Sequence, residues 1–477
     1  MSTTERPQRK VRRDKRRELR KVKVSKHIHW LIRVTLGNYT KWRFQSVPEN
    51  IDMVRNLEPP YLIMGNHGCV WDPFILNSHI PAPIHYVVSD SNFRSRLVSF
   101  GLSLVGSIPK TKALSDFETV KHIVKIKHRN GIIGIFPEGQ SSWDGHSLPI
   151  YYSTAKLVKS LKVPVVVVEL KGAFLSMPRW ARSLRRGPVH VEYRLAFKPE
   201  DLKDMSVADV YAGLVRELSH DDFAYQRRHM IPFGGRNRAE YLEIVLFTCP
   251  RCEERHTLES SGNLLRCTAC GYTVRYNVYG FFEAVAGTLH FDNLRSWNVW
   301  QIEKFTAYLD AGTGSASQGT DKGAGSTAAP AATPAPEPAA LSAEAPTPES
   351  TAAPESAPAA EPAAPLMREE KIILQRGFKS MPLKKIDVGS LELHPEELRF
   401  AGKRKSTSMT FPIHLIEGIN IQNGEPLEFY FQGDMYRVLI PSPRGNTYKW
   451  LLAVEHLQGK AVLETTEPSR QAVQATP

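Results

Sequence analysis

From Pro60 to about Phe197, short apolar runs alternate with stretches of helical spacing. The runs "YLIMG", "IHYVVS", "GIIGIF", "VPVVVVEL" and "VHVEYRLAF" read as strands, because they are short and rich in β-branched residues. Between them, "PFILNSHI", "NFRSRLVSFGLSLV", "SDFETVKHIVKIKHRN" and "YYSTAKLVKSLK" read as helices. In the third of these, Ser115 or Asp116 is the expected cap. Phe117, Val120, Ile123 and Val124 form its expected apolar face, with Ile126 at the edge. Strands that do not alternate with polar residues are covered on both faces. The pattern therefore predicts an α/β domain with a mostly parallel central sheet, and its site beyond the carboxyl ends of the strands.

The flanking segments follow other rules. In "HIHWLIRVTLGNYTKWRF", Ile28, Leu31, Ile32, Thr35, Tyr39 and Trp42 fall on one side at helical spacing, and Arg33, Lys41 and Arg43 take other angles. Such a helix either packs on the next domain or lies in a membrane interface, and the two are compatible. Residues 311–366 are Ala, Pro, Ser, Thr, Gly and Glu, a composition that cannot bury a core and reads as a disordered linker. Past it the period changes to two in "SLELHPEELRFAG", "MTFPIHLIEGINIQN" and "LEFYFQGDMYRVLI", and a helical run, "NTYKWLLAVEHLQ", follows. A small mainly-β domain closed by a helix is expected there. The predicted divisions are a disordered tail at 1–26, the α/β domain at 27–245, a cysteine-bearing segment and helix at 246–310, the linker at 311–366, the β-rich domain at 367–460 and a disordered tail at 461–477.

Charge refines this picture. The 477 residues carry a formal charge of +13. Residues 1–26 alone hold twelve Lys or Arg against three Asp or Glu. A basic block of this kind is solvated unless it meets a polyanion, either nucleic acid or an anionic membrane surface. No apolar segment with a cleavage site follows it, and no run reaches the roughly 18 apolar residues of a membrane span. The expected location is therefore cytoplasmic, with peripheral attachment to the inner face of the cell membrane.

Two constellations carry chemistry. In "YLIMGNHGCVWDPF" an apolar strand ends at His67, and Asp72 lies five residues on. A carboxylate on one imidazole nitrogen fixes the tautomer and makes the other a general base. The plain alternative is that Asp72, before Pro73, caps a helix. "GIIGIFPEGQSS" ends another strand at Glu138 and Gly139, and "VGSIPKTK" brings Lys110 and Lys112 to a third strand end. A buried glutamate is costly without partners, and the lysines suit a phosphorylated alcohol. The second constellation is "CPRC" and "CTAC", with Cys249, Cys252, Cys267 and Cys270 supplying four thiolates around a fourteen-residue spacer. It reads as a closed structural zinc site.

These motifs, in this order and spacing, resemble the glycerolipid acyltransferase family, whose members acylate glycerol phosphate or lysophospholipids. The resemblance covers roughly Ile28 to Leu218. It implies that His67 is the base and Asp72 its orienting partner. It also implies that Glu138 and Gly139 bind the acceptor, and that Lys110 or Lys112 meets its phosphate. The implied reaction moves an acyl group from acyl-CoA or acyl carrier protein to the hydroxyl of a lysophospholipid such as 1-acyl-sn-glycerol-3-phosphate. The chain departs from the family pattern at Cys69, where serine is usual, at the lysines, where arginine is usual, and at Gln140, Ser141 and Ser142, which lack the usual arginine. A lysolipid with another head group is thus an open alternative. Cys69 beside the base also admits a covalent acyl-enzyme. The cysteine segment resembles a zinc ribbon, and the last domain resembles pleckstrin-homology-like or GRAM-like domains. The rival from another class is a basic zinc-ribbon nucleic-acid binder on an inactive acyltransferase fold. Retention of His67, Asp72 and Glu138 together speaks against it, so the membrane and the lysolipid, not nucleic acid, are the expected partners.

Overall fold

A computed structural model describes residues 24, 26–111, 117–314, 364–378, 381–422, 426–441 and 446–460. The expected tails, nearly all of the linker, Lys112 and the cap at Ser115 or Asp116 lie outside the described residues.

The chain enters through α1 (Lys26–Ile32), a π-turn at Arg33–Gly37 and α2 (Asn38–Phe44). The central sheet comprises β1 (Val47–Glu49), β2 (Leu62–Gly65), β3 (Ile84–Ser89), β4 (Ile108–Lys110), β5 (Ile132–Ile135), β6 (Val165–Lys171) and β7 (His190–Phe197). Around it stand α3 (Ile51–Arg55), α4 (Asp72–His79), α5 (Arg96–Leu104), α6 (Phe117–Lys127), α7 (Tyr152–Leu161), the short α8 (Ala173–Ser176) and α9 (Asp201–Asp204), then α10 (Val207–Leu218) and α11 (Asp222–His229). The strand order is β1-β7-β6-β2-β5-β3-β4. Every pair is parallel except β6 with β7. Both faces are buried, as the apolar runs require. Leu62, Met64, Val165 and Val167 pack with Ile123, Val158 and Leu214 on one side. Ile63, Val166 and Val168 pack with Phe44, Ile75 and Leu76 on the other.

One helix face differs from the sequence reading, and a second distinguishes between the two it left open. On α6 the buried residues are Thr119, His122, Ile123 and Ile126, while Phe117, Val120 and Val124 are exposed. The helix carries two apolar stripes, and the sheet takes the one with Ile123 and Ile126, which pack with Leu62, Met64 and Val165. At the entrance, Gly37, Thr40 and Phe44 are buried and α2 packs on α4, whereas Trp30, Leu31, Tyr39 and Trp42 face solvent. Gly37, Thr40 and Phe44 form the packed side of this segment, and the other large apolar residues are left outside. Strand β1, Val47-Pro48-Glu49, carries no apolar signal; it is held by pairing with β7 and by Glu49, whose carboxylate meets Lys171 and His190.

Past Ile244 a four-stranded antiparallel sheet, β8 (Leu258–Ser261), β9 (Leu264–Cys267), β10 (Thr273–Tyr276) and β11 (Phe282–Ala286), carries the cysteines. The long α12 (Leu294–Gly312) follows. The last unit is a seven-stranded antiparallel sheet: β12 (Met367–Gly377), β13 (Lys384–Leu393), β14 (Glu397–Gly402), β15 (Met409–Pro412), β16 (Glu417–Ile421), β17 (Leu427–Phe431) and β18 (Asp434–Leu439). It is closed by α13 (Tyr448–Leu457), which packs on β16. One continuous core joins Trp143, Phe174 and Phe223 of the first unit, Tyr272 and Trp297 of the second, and Tyr448 and Trp450 of the third. The units that the sequence presents as a row of modules share their interior.

A buried charge network braces the first sheet. His220 Nδ1 lies 2.8 Å from Glu169 Oε1, and Arg194 donates to the other Glu169 oxygen at 2.9 Å. His220 Nε2 lies 3.1 Å from Asp222 Oδ1, a contact of charge rather than an aligned hydrogen bond. Asp222 in turn accepts the backbone N–H groups of Gly172 and Phe174 at the start of α8. Burial alone would lower the pKa of His220, but the two carboxylates more than offset it and push it up to about 10. Burial would raise Glu169, yet His220 and Arg194 hold it down near 2. A histidine raised above its unfolded value of 6.5 contributes stability that is full below that value and is lost as pH rises through about 10. Thermal unfolding followed from pH 6 to pH 10 should show this alkaline decline in the native protein. In His220→Gln the decline should be flattened, and the neutral-pH stability should drop by roughly 3 kcal/mol because buried Asp222 loses its cationic partner while Glu169 keeps Arg194.

Candidate active site at the carboxyl ends of the strands

Strands β2, β5, β3 and β4 run in parallel, so their carboxyl ends open on one side. His67 lies just past the end of β2, in the loop to α4. Its Nδ1 is 2.8 Å from Asp72 Oδ2. Asp72 is fully buried at the first position of α4, with Pro73 next. It does not cap that helix: Trp71 is the N-cap residue and no side chain caps. Its carboxylate turns back into the loop, where Oδ2 also accepts the backbone N–H of Cys69 at 2.9 Å and Oδ1 accepts the thiol at 3.1 Å. The helix N-terminus adds a favourable field for its charge. An Nδ1–H bound to Asp72 leaves Nε2 of His67 as the proton-accepting atom. The ring is 18% exposed and lies 4.7 Å from the ring of Phe136, so it is partly open to solvent.

Glu138, at the turn after β5, is buried among these groups. Oε1 accepts the His67 backbone N–H at 2.9 Å, and Oε2 accepts that of Leu148 at 2.8 Å. Burial pushes its pKa up to about 8, against the two amide bonds that favour the carboxylate. Its oxygens are thus engaged in holding two loops together. Gly139 follows at φ +73°, a conformation that favours glycine, and stands exposed beside the ring of Tyr151. Lys110 ends β4, three strands from β2 in the sheet order. At the usual strand spacing that is about 14 Å of backbone separation. The structure therefore brings His67, Asp72, Cys69 and Glu138 into direct contact, and places Gly139 and Lys110 on the same rim at increasing distance.

Three further residues fix the His67 loop. Asn66, at the end of β2, bonds both the N–H and the C=O of Leu170, extending the sheet by a side chain. Ser142 donates its N–H to the His67 carbonyl at 2.8 Å. Gly68 approaches α8 so closely that a Cβ there would stand 2.8 Å from the Phe174 nitrogen. Asn66 is visible in the motif itself, whereas the other two depend on contacts distant in sequence. Beyond Ser142, Asp144 accepts from Arg295 and Asn298 of α12, and Arg179 lies 4.0 Å over the ring of Trp143. No pattern in the chain marks these partners. Cys69 is fully buried, and burial, followed by the neighbouring Asp72, raises its thiol well above the ordinary range. A protonated, inaccessible sulfur is poorly placed to be a nucleophile.

The cysteine cluster is a separate site. All four Sγ atoms lie within 4.8 Å of one another, and the pairs Cys249–Cys270 and Cys252–Cys267 are 3.7 Å apart. A tetrahedral metal with sulfur ligands at about 2.3 Å requires edges of about 3.8 Å. The two knuckles match: Glu253 N–H returns to the Cys249 carbonyl and Gly271 N–H to that of Cys267, each at 3.0 Å and each with positive φ. The four cysteines can therefore hold a metal ion.

Comparison with known proteins bears on the first unit. Residues 45–171 match the family model described as Acyltransferase. They contain both the His67–Asp72 pair and Glu138, so the chain carries an acyltransferase domain. Among solved structures, the 1-acyl-sn-glycerophosphate (LPA) acyltransferase PlsC from Thermotoga maritima matches at 14% identity and a TM-score of 0.36, over 42% of this chain and 80% of that one. Comparison with curated proteins returns no match.

Metal content provides a direct check of the cysteine geometry. Purified protein should carry one thiolate-bound metal per chain, and Cys252→Ser should release it and expose α12 to proteolysis. Metal-free native protein with four alkylatable thiols would contradict the site.

Proposed function

We propose that this chain transfers a fatty acyl group from an acyl thioester, acyl-CoA or acyl carrier protein, to a hydroxyl of a lysophospholipid in membrane phospholipid synthesis or remodelling. The observation that carries the reading is the 2.8 Å bond between His67 Nδ1 and the buried carboxylate of Asp72 at a strand end. Nε2 of His67 removes the proton from the acceptor hydroxyl as its oxygen attacks the thioester carbonyl. Asp72 stabilises the imidazolium that forms, and the proton then leaves with the thiolate. General-base assistance of this kind contributes roughly a hundred- to ten-thousand-fold. Glu138 acts on the acceptor side by holding the His67 loop against the Gly139 turn, and Lys110 on the same rim suits a head-group phosphate. The metal of the cysteine cluster is zinc in this reading, and it is structural, because all four ligand positions are sulfur.

Among the described residues no helix is long and apolar enough to cross a membrane. The enzyme on this reading docks at the inner face of the cell membrane. The exposed Trp30, Leu31, Tyr39 and Trp42 of α1 and α2 support this, since aromatic and aliphatic side chains beside a basic segment suit an anionic interface.

Two measurements test these statements. With lysophosphatidate and other lysophospholipids as acceptors and acyl-CoA or acyl carrier protein as donors, His67→Ala should lose acyl transfer by at least about a hundredfold with little change in melting temperature. Asp72→Asn should lose nearly as much, and Cys69→Ser should stay active. Substantial turnover by the His67 variant excludes the mechanism. In sedimentation with anionic vesicles, the double variant Trp30→Ser, Trp42→Ser should shift toward the supernatant, and added salt should shift the native chain the same way. Equal pelleting of variant and native protein at all salt concentrations would remove the docking role.

A further inference from the structure

The turn after β5 is gripped from another part of the chain. Nη1 of Arg179 donates to Gln140 Oε1 and to the Ser141 carbonyl, each at 3.2 Å, and Nη2 donates to the Ile421 carbonyl at 2.6 Å. Ile421 is the last residue of β16, in the C-terminal sheet. The guanidinium also covers Trp143, whose ring is 4.6 Å from that of Tyr448 on α13. One side chain thus connects the segment that follows Glu138 to a domain encoded far downstream. The neighbouring strand end is tied to the same sheet. Ser91 donates to Gln422 at 2.7 Å, and Arg94 grips Glu428 with both amino groups, a pair in which the side chains are 10% and 4% exposed. Both loops that flank the His67 cleft after β3 and β5 therefore rest on β16 and β17.

We infer that Arg179 is a positioning residue for the Gly139–Asp144 loop, and that through it the C-terminal sheet forms part of the acceptor site. The argument is geometric. Gly139 has a left-handed conformation and is exposed, so it supplies a pivot at one end of the loop. Ser142 N–H holds the His67 carbonyl, so movement of the loop is felt at the base. Between these points, the side chain of Gln140 and the carbonyl of Ser141 are both bound by Arg179. A guanidinium serves three acceptors at once because its donors are fixed in a plane, and a lysine ammonium does not reproduce that fork. The C-terminal sheet consequently acts on the acceptor side of the reaction by setting where the loop stands, with no residue of its own at His67.

This inference rests on the acyl-transfer reading, and the experiment separates the two. Arg179→Ala and Arg179→Lys in the full chain are compared with native protein by steady-state kinetics, with lysophospholipid and acyl donor varied in turn. Hydrogen exchange of backbone amides is followed in parallel. The alanine variant should raise the acceptor KM at least about tenfold, the size expected for loss of one charge-assisted hydrogen bond, with the donor KM unchanged. The lysine variant should fall between. Amides of residues 140–145 should exchange faster in Arg179→Ala, while those of β2 and β6 should not. Unchanged exchange in 140–145 overturns the clamp whatever the activity. Faster exchange with equal effects on donor and acceptor overturns its role in acceptor binding. If native protein transfers no acyl group to any lysophospholipid, the functional reading fails, and the exchange measurement still decides the clamp.

Discussion

A carboxylate without water must be satisfied by the protein, and in this chain that requirement falls on Asp72. It is fully buried, and its two oxygens serve the imidazole of His67, the backbone N–H of Cys69 and the Cys69 thiol. Each bond lowers the cost of burying the charge, and together they fold five residues of loop into one conformation. The ring of His67 is held in direction and tautomer by the same contacts. Glu138 repeats the solution from the adjacent strand, spending its oxygens on backbone groups of His67 and Leu148. Two buried acids therefore define where the ring of His67 stands, and the parallel sheet supplies the strand ends that bring them together.

Much of this was legible in the sequence because it is local. The uninterrupted Val and Ile runs announce strands covered on both faces, and the spacing of His67 and Asp72 within one strand-to-helix turn announces their meeting. The paired cysteines declare their cluster for the same reason. What was not legible depends on residues distant in sequence. The choice between two apolar stripes on α6 is made by the sheet, and nothing within Phe117–Lys127 ranks Ile123 and Ile126 above Val120 and Val124. Trp30, Tyr39 and Trp42 of α1 and α2 look like a packing face, yet the contact is made by Gly37, Thr40 and Phe44. Strand β1 is invisible because backbone pairing with β7 and the distant partners of Glu49, not an apolar run, hold it.

The largest departure concerns organisation. The Ala- and Pro-rich composition of residues 311–366 divides the chain so cleanly that the β-rich domain reads as an appendage. The described structure places it instead against the first unit. Trp143 meets Tyr448, Asn298 bonds both Asp144 and Tyr448, and Arg94 is paired with Glu428 in a buried contact. Buried ion pairs contribute little net stability against apolar substitutes, but losing one partner is costly. Such contacts specify one arrangement of the units and disfavour others.

The contact of Trp143 with Tyr448 also sets an order of events in time. Synthesis proceeds from the amino end, and early units fold as they emerge. The central sheet can close once β7 and the helices after it exist. The ring of Trp143, however, meets its partner ring only when the chain has been made past Tyr448. Until then the segment after Glu138 lacks one wall of its packing. The nascent protein thus has His67 and Asp72 in place before the segment after Glu138 is fully packed, and α13 completes that packing. A chain cut short before α13 would keep the His67–Asp72 pair but lose the wall that packs the neighbouring loop.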